Sequence, residues 1–184
     1  MQPQTQELLT YLDTCRKRLR DVVEAVPEGD RARRPGEGRW SVAEILMHLG
    51  IVEKRVATMV KRLTDGVRRG EPTPAVAFDP SAAIAAIEGH GALDRSKKLA
   101  APEAARPGDD VNLEAAWQAL AASRAAMRDA VLAGDGLALA TTVAPHPAFG
   151  PLNVYEWIAF VGGHDMRHSE QIRETAEQLK RSNM

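Results

Sequence analysis

Near the amino terminus the apolar residues recur as Leu8, Leu12, Cys15, Leu19, Val22 and Val26. The steps alternate between four and three, which places these side chains on one helical stripe and predicts a first helix ending before Pro27. Cys15 lies within the stripe and reads as a small buried hydrophobe rather than a reactive thiol. Residues 28–39 are rich in Gly, Arg and Pro and show no period, so they predict an exposed connection. Ser41 followed by Glu44 forms a capping box, and Trp40 is placed to staple onto Ile45. Val42, Ile45, Leu49, Val52, Val56, Met59 and Leu63 then give about six turns of amphipathic helix. Gly66, Gly70, Pro72 and Pro74 predict a loop over 65–77.

Asp79-Pro80 offers an N-cap and a proline at the first helical position, so a shorter helix is expected over 80–99. Gly89 and Gly91 weaken it, and His90 between them reads as exposed. After a proline-containing connection at 100–110, Leu113, Trp117, Leu120, Met127 and Val131 define a further long helix, stopped by Gly134. Arg124 falls on its apolar stripe. A guanidinium there needs an acidic partner or a polar cavity unless it snorkels to the surface, and snorkelling is expected. The last helix opens at Asn153 with Glu156 three residues on and Leu152 placed against Trp157, and is expected to reach Leu179. No strand pattern of convincing length and no repeat appears. The expected fold is all-α: a four-helix bundle with an additional short helix in a crossover, spanning 1–184 as one domain.

Composition narrows the function. Lys plus Arg total 24 and Asp plus Glu 25, for a formal charge of -1, so no whole-protein field attracts nucleic acid or an anionic membrane. The short basic runs at 16–18, 31–34 and 68–69 read as solvated faces. One cysteine among 184 residues excludes an internal disulfide framework and a cysteine-built metal site, and favours a reducing compartment. Neither a leader-like amino terminus nor an apolar run of membrane-spanning length is visible, so a cytoplasmic protein is expected.

The chemistry sits on the last helix. Its inward stripe is Val154, Trp157, Val161, His164, His168, Ile172 and Leu179, two of whose positions are imidazoles where aliphatics would serve packing better. Residues four apart differ by about 40° around the axis, so His164 and His168 can aim ring nitrogens at one point. The second helix supplies His48, beside Ile45 and Val52 at the edge of its own stripe. Three neutral imidazoles suit zinc, nickel, iron or copper and leave a coordination position open. Core histidines bonded to backbone or carboxylate would give the same pattern. Glu44, one turn before His48, is a candidate partner for its second nitrogen. Asp165 is about 100° from His164 around the helix and suits a different partner or solvent.

Taken together, Arg39 through Leu49 (RWSVAEILMHL), His146 through Leu152 (HPAFGPL), and Glu156-Trp157 followed by His164-Asp165-Met166-Arg167-His168 and Gln171-Ile172 resemble the DinB-like (YfiT-like) superfamily of metal-binding four-helix bundles over most of the chain. The resemblance implies an up-down-down-up bundle in which His48, His164 and His168 hold a divalent metal such as Zn, Ni, Fe or Mn. It places His146 in a loop before the last helix, where it positions substrate or caps the loop. Independently of the resemblance, Arg124 is a candidate to support a metal ligand or to meet substrate.

The implied reaction class is a thiol-dependent S-transfer or isomerisation using a low-molecular-weight thiol of the bacillithiol, mycothiol or glutathione type on a small-molecule substrate. A metal-dependent hydrolase and a non-catalytic metal-binding protein are the alternatives. His164-Asp165-Met166-Arg167-His168 has aspartate where an HExxH peptidase needs its glutamate base, which argues against peptidase chemistry. Related bundles pair through helix faces, so a homodimer is compatible with this sequence.

Overall fold

The computed structural model describes residues 1–70, 78–91, 94–96 and 100–182. Five helices are seen among them: α1 (Pro3–Glu24), α2 (Val42–Arg69), α3 (Pro80–Gly89), α4 (Leu113–Ala133) and α5 (Val154–Ser182). The four long ones form an up-down-down-up four-helix bundle, with α2 packed along α4 and α1 along α5. The short α3 lies in the α2–α4 crossover and leans on α5. None of the described helices is long and apolar enough to cross a membrane.

The predicted helix starts are present in atomic detail. Glu44 N donates to Ser41 Oγ at 3.2 Å while Ser41 N donates to Glu44 Oε2 at 2.8 Å. The same reciprocal pair recurs at α5, where Asn153 N reaches Glu156 Oε2 at 2.8 Å and Glu156 N reaches Asn153 Oδ1 at 3.0 Å. Two donors that the first turn would leave unsatisfied are thus met at each start. The helical phase is fixed where the histidine-bearing helices begin. Asp79 caps α3 by accepting from Ser81 N.

Two apolar clusters fill the bundle. One, around Leu12, Val60, Met127, Leu152, Ile158 and Val161, lies towards the start of α5; the other gathers Leu19, Val23, Ile45, Leu46, Leu120 and Ile172. Trp40 packs against the second, which contains its expected staple partner Ile45. Cys15 is buried, as its place on the stripe requires.

The structure corrects the sequence reading in several places. The loop expected from residue 65 begins later, because α2 runs on to Arg69. Asp65 pairs with Lys61 at 2.7 Å, Val67 packs on the core and Arg68 donates to the Ala133 carbonyl at 2.5 Å, so tertiary contact outweighs the cost of Gly66 inside the helix. The rest of that predicted loop, 71–77, lies outside the described residues. Conversely, α3 stops at Gly89 rather than Leu99; Gly91 takes φ 73°, a left-handed conformation that ends a helix readily. Leu99 itself lies outside the described residues.

A two-stranded antiparallel hairpin, β1 (Val143–His146) and β2 (Gly150–Asn153), also appears where no strand was expected. Pro145 and Pro151 face each other across it, and prolines at both positions erase the strand signal.

Candidate metal centre

His164 and His168 project from successive turns of α5 with ring centroids 4.5 Å apart, planes at 89° and Nε2 atoms 3.0 Å apart. His48 comes across from α2, its ring centroid 5.1 Å from that of His164 and 4.9 Å from that of His168. One ligand nitrogen from each residue lies within 4.8 Å of the others. Three points so spaced share a centre no more than about 2.8 Å from each, against Zn–N bonds of about 2.0–2.1 Å, so a contraction of under about 1 Å completes coordination.

The hydrogen bonds orient these rings. His48 Nδ1 donates to the carbonyl oxygen of Ala105 at 2.6 Å. A carbonyl only accepts, so the proton sits on Nδ1 and the Nε2 lone pair is free. His168 Nδ1 donates to Gln171 Oε1 at 2.8 Å, and that oxygen also accepts from Arg95 Nη1 at 3.4 Å, which settles the orientation of the amide. The His168 Nε2 lone pair therefore faces His164. His48 and His168 are only 4% and 7% exposed. Burial pushes all three imidazoles below their ordinary pKa, with mutual repulsion adding to the effect on His164 and His168. Neutral imidazole is the form that binds metal. Converging lone pairs on His48 and His168, a third neutral ring at His164 and orienting partners on two of the three fit a divalent ion.

Glu44 is not the partner of His48. Its carboxylate is held by Arg34 and by the Ser41 backbone at the helix start. The carbonyl that takes its place belongs to a single turn of 3-10 helix, Glu103–Ala105, within the stretch read from sequence as a plain connection. Any residue carries such a carbonyl, so no residue type could have signalled it. Gln171 was part of the family resemblance, and its position three residues after His168 is a legible one-turn spacing.

Arg124 does not snorkel, and none of its hydrogen bonds goes to the three histidines. It is 8% exposed and reaches Glu53 at 2.6 Å, Asp165 at 3.1 Å and the Leu12 carbonyl at 2.6 Å. Arg16 closes the ring by pairing with the same two carboxylates at 2.7 and 3.0 Å. Asp165, next to His164 in sequence, thus belongs to a four-charge cluster between α1, α2, α4 and α5. This cluster resists rotation of α5 about its axis, the motion that would swing His164 and His168 away from His48.

The centre forms one wall of a cavity of about 1340 Å³ between α2, α5, the hairpin and the 38–40 and 100–105 segments. His164 opens onto it, with Phe160 stacked 5.2 Å from its ring. Rings continue outward from there: Phe160 to His146 at 4.8 Å, His146 to Phe149 at 4.4 Å, and Phe149 to His90 at 5.5 Å. His90 is exposed, as expected, but stacked. His146 Nδ1 accepts from Ala148 N at 3.1 Å and Phe149 N at 3.2 Å, which caps the hairpin turn and leaves the proton on Nε2. Burial, with His90 nearby, lowers its pKa to about 4, so the ring stays neutral.

Comparison with known proteins agrees with the fold. A sequence profile of the DinB superfamily matches residues 11–172. The chain is 27% identical over 160 residues to an uncharacterized protein, YuaE, of Bacillus subtilis (strain 168), covering 82% of this chain and 85% of that one. Its fold is similar to the crystal structure of TT2238, a four-helix bundle protein, with a TM-score of 0.61 at 19% identity over 92% of this chain and 98% of the other. The chain belongs to the DinB superfamily.

Proposed function

We propose that this protein is a metal-dependent enzyme in which His48, His164 and His168 hold one divalent ion, Zn, Ni, Fe or Mn, and that it transfers or isomerises through the sulfur of a low-molecular-weight thiol. The observation that carries the reading is the convergence of three neutral imidazole nitrogens on the wall of a large cavity, with the open side towards solvent-accessible space. A closed structural site would present four protein ligands; three with an open face is the pattern of a site that takes an exchangeable ligand.

An ion held there supplies Lewis acidity, which favours the thiolate form of a thiol at neutral pH. The chain's own residues do the rest. His48 and His168 are kept in the Nε2-unprotonated form by Ala105 and Gln171. Trp157 and Phe160 provide an apolar wall beside the sulfur. His146, neutral with a proton on Nε2, is a hydrogen-bond donor on the cavity wall suited to orienting substrate. Cys15 is buried and its thiol is raised to about 11, chiefly by burial, so the reactive sulfur is that of the cosubstrate, of the bacillithiol, mycothiol or glutathione type.

Hydrolysis is the weaker reading. It needs a general base near the ion, and the carboxylate lining the cavity among the described residues, Glu174, is paired with Arg95 at 2.5 Å. We place the reaction in a reducing compartment, the cytoplasm, and allow for a homodimer, which gel filtration with light scattering tests.

The test is to load the protein with each metal and follow consumption of each thiol with monochlorobimane. Metal-dependent turnover that His164→Ala abolishes is the expected result. Full metal occupancy without turnover on any thiol would sink the transferase reading in favour of hydrolysis or non-catalytic binding. Absence of metal binding by the intact protein would sink the metal centre itself.

A further inference from the structure

The cavity is charged in a one-sided way that neither the metal centre nor the packing explains. Lys54, Arg55 and Arg62 line it from α2, and Arg39 lines it from the loop before that helix. Among the described residues Lys54, Arg55 and Arg62 have no carboxylate partner, and Arg39 acts on Glu174 only through the field, the ion pair of Glu174 being with Arg95. Arg55 reaches only the Ala104 carbonyl, at 3.4 Å.

The acidic side chains of the same helix are all directed elsewhere. Glu44 is bound to Arg34, Glu53 points into the core against Arg16 and Arg124, and Asp65 is paired with Lys61. The charged residues that α2 gives to the cavity are therefore all basic, in a protein whose formal charge is -1. Glu174, on the α5 side, is already neutralised by Arg95. Opposite the cations stand Trp157, Phe160 and Phe149, with Met59 and Val52 on the α2 side.

Unpaired cations on a concave surface raise the local potential, because low-dielectric walls focus the field there. An anion entering the cavity gains from that field without displacing an existing ion pair. The aromatic wall at the same time favours a flat or apolar body. We infer that the ligand of this cavity is an amphipathic small anion, whose carboxylate, phosphate or sulfonate group is held at the mouth by Lys54, Arg55, Arg62 and Arg39 while its apolar portion lies against Phe149, Trp157 and Phe160 near His164. This names the substrate class of the site proposed above and rests on that reading only for the identity of the cavity as the binding site.

The test compares two fluorescent probes of like shape and different charge, anilinonaphthalene sulfonate and the neutral phenylnaphthylamine, on metal-free and cobalt-loaded protein. The double variant Lys54→Gln/Arg62→Gln is expected to raise the Kd of the anionic probe by roughly fivefold or more, the sum of two weak exposed charge interactions. The Kd of the neutral probe should stay within about twofold, as apolar contact is untouched. Lys61→Gln removes a cation that α2 pairs with Asp65 and does not contribute to the cavity, so it should leave both probes unchanged.

Equal weakening of both probes, no change in either, or an equal effect from Lys61→Gln would each overturn the proposal. The cobalt spectrum reports the metal centre independently. Loss of the cobalt signal with the charge effect intact would remove the metal and keep the anion site, and the reverse would remove only the anion site.

Discussion

The Nδ1 atom of His48 lies 2.6 Å from the carbonyl oxygen of Ala105, fifty-seven positions away in the chain. That bond selects the tautomer of His48 and leaves Nε2 to face His164 and His168. It also shows why Glu44, one helical turn from His48, is dispensable to the ring: its carboxylate belongs to the capping box and to Arg34.

Glu44→Ala should therefore leave metal affinity unchanged while lowering stability by about 1 kcal/mol through loss of the cap. Urea denaturation and a competitive chelator titration on one sample separate the two effects. A large drop in affinity would restore Glu44 as the partner of His48.

Gln171→Leu removes the acceptor from His168 Nδ1 and frees the tautomer. Metal affinity should fall by roughly 10- to 100-fold, the usual cost of losing an orienting partner, while the fold stays intact. Unaltered affinity would mean that His168 is not a ligand.

Acid should destabilise the metal-free protein. Burial holds His48, His164 and His168 below their ordinary pKa, so the unfolded chain takes up protons on them as pH falls through about 6.5 while the folded chain does not. The stabilising effect is complete above that pH and is lost below it, by up to about 1.4 kcal/mol per pH unit for each imidazole kept neutral. Urea midpoints in chelator between about pH 8 and about pH 5 read the slope. A flat profile would contradict burial of neutral rings.

Arg124→Met should cost roughly 3–5 kcal/mol, because it leaves Glu53 and Asp165 buried with only Arg16 between them. Calorimetry measures the loss. A change below about 1 kcal/mol would place Arg124 at the solvent edge, where the sequence pattern had put it.

Gly162→Ala tests the packing of α1 on α5. A Cβ there would stand 2.2 Å from Tyr11 Cε1, so the ring must move and stability should fall by about 1–3 kcal/mol. Thermal melts would detect it; an unchanged melt would mean that Tyr11 swings aside freely.

Much of this protein is legible locally. The reciprocal caps at Ser41/Glu44 and Asn153/Glu156, the stripes on the long helices and the four-residue spacing of His164 and His168 all follow from helical geometry, which depends only on near neighbours in the chain. Those features anticipate the bundle and a two-imidazole clamp.

What local pattern could not supply was the identity of partners brought in from afar. Arg124 looks the same in sequence whether it snorkels or meets Glu53 and Asp165, and the hairpin at 143–153 is hidden by its prolines. The Ala105 carbonyl is one of many identical groups, distinguished only by the turn that delivers it. The chain alone thus determined which faces each helix would bury and which side chains could bind. The mutual rotation of α2 and α5, held by packing and by the four-charge cluster, decided that three separate imidazoles meet at one wall of one cavity, because a helix's orientation about its axis is set by contacts between elements and not within them.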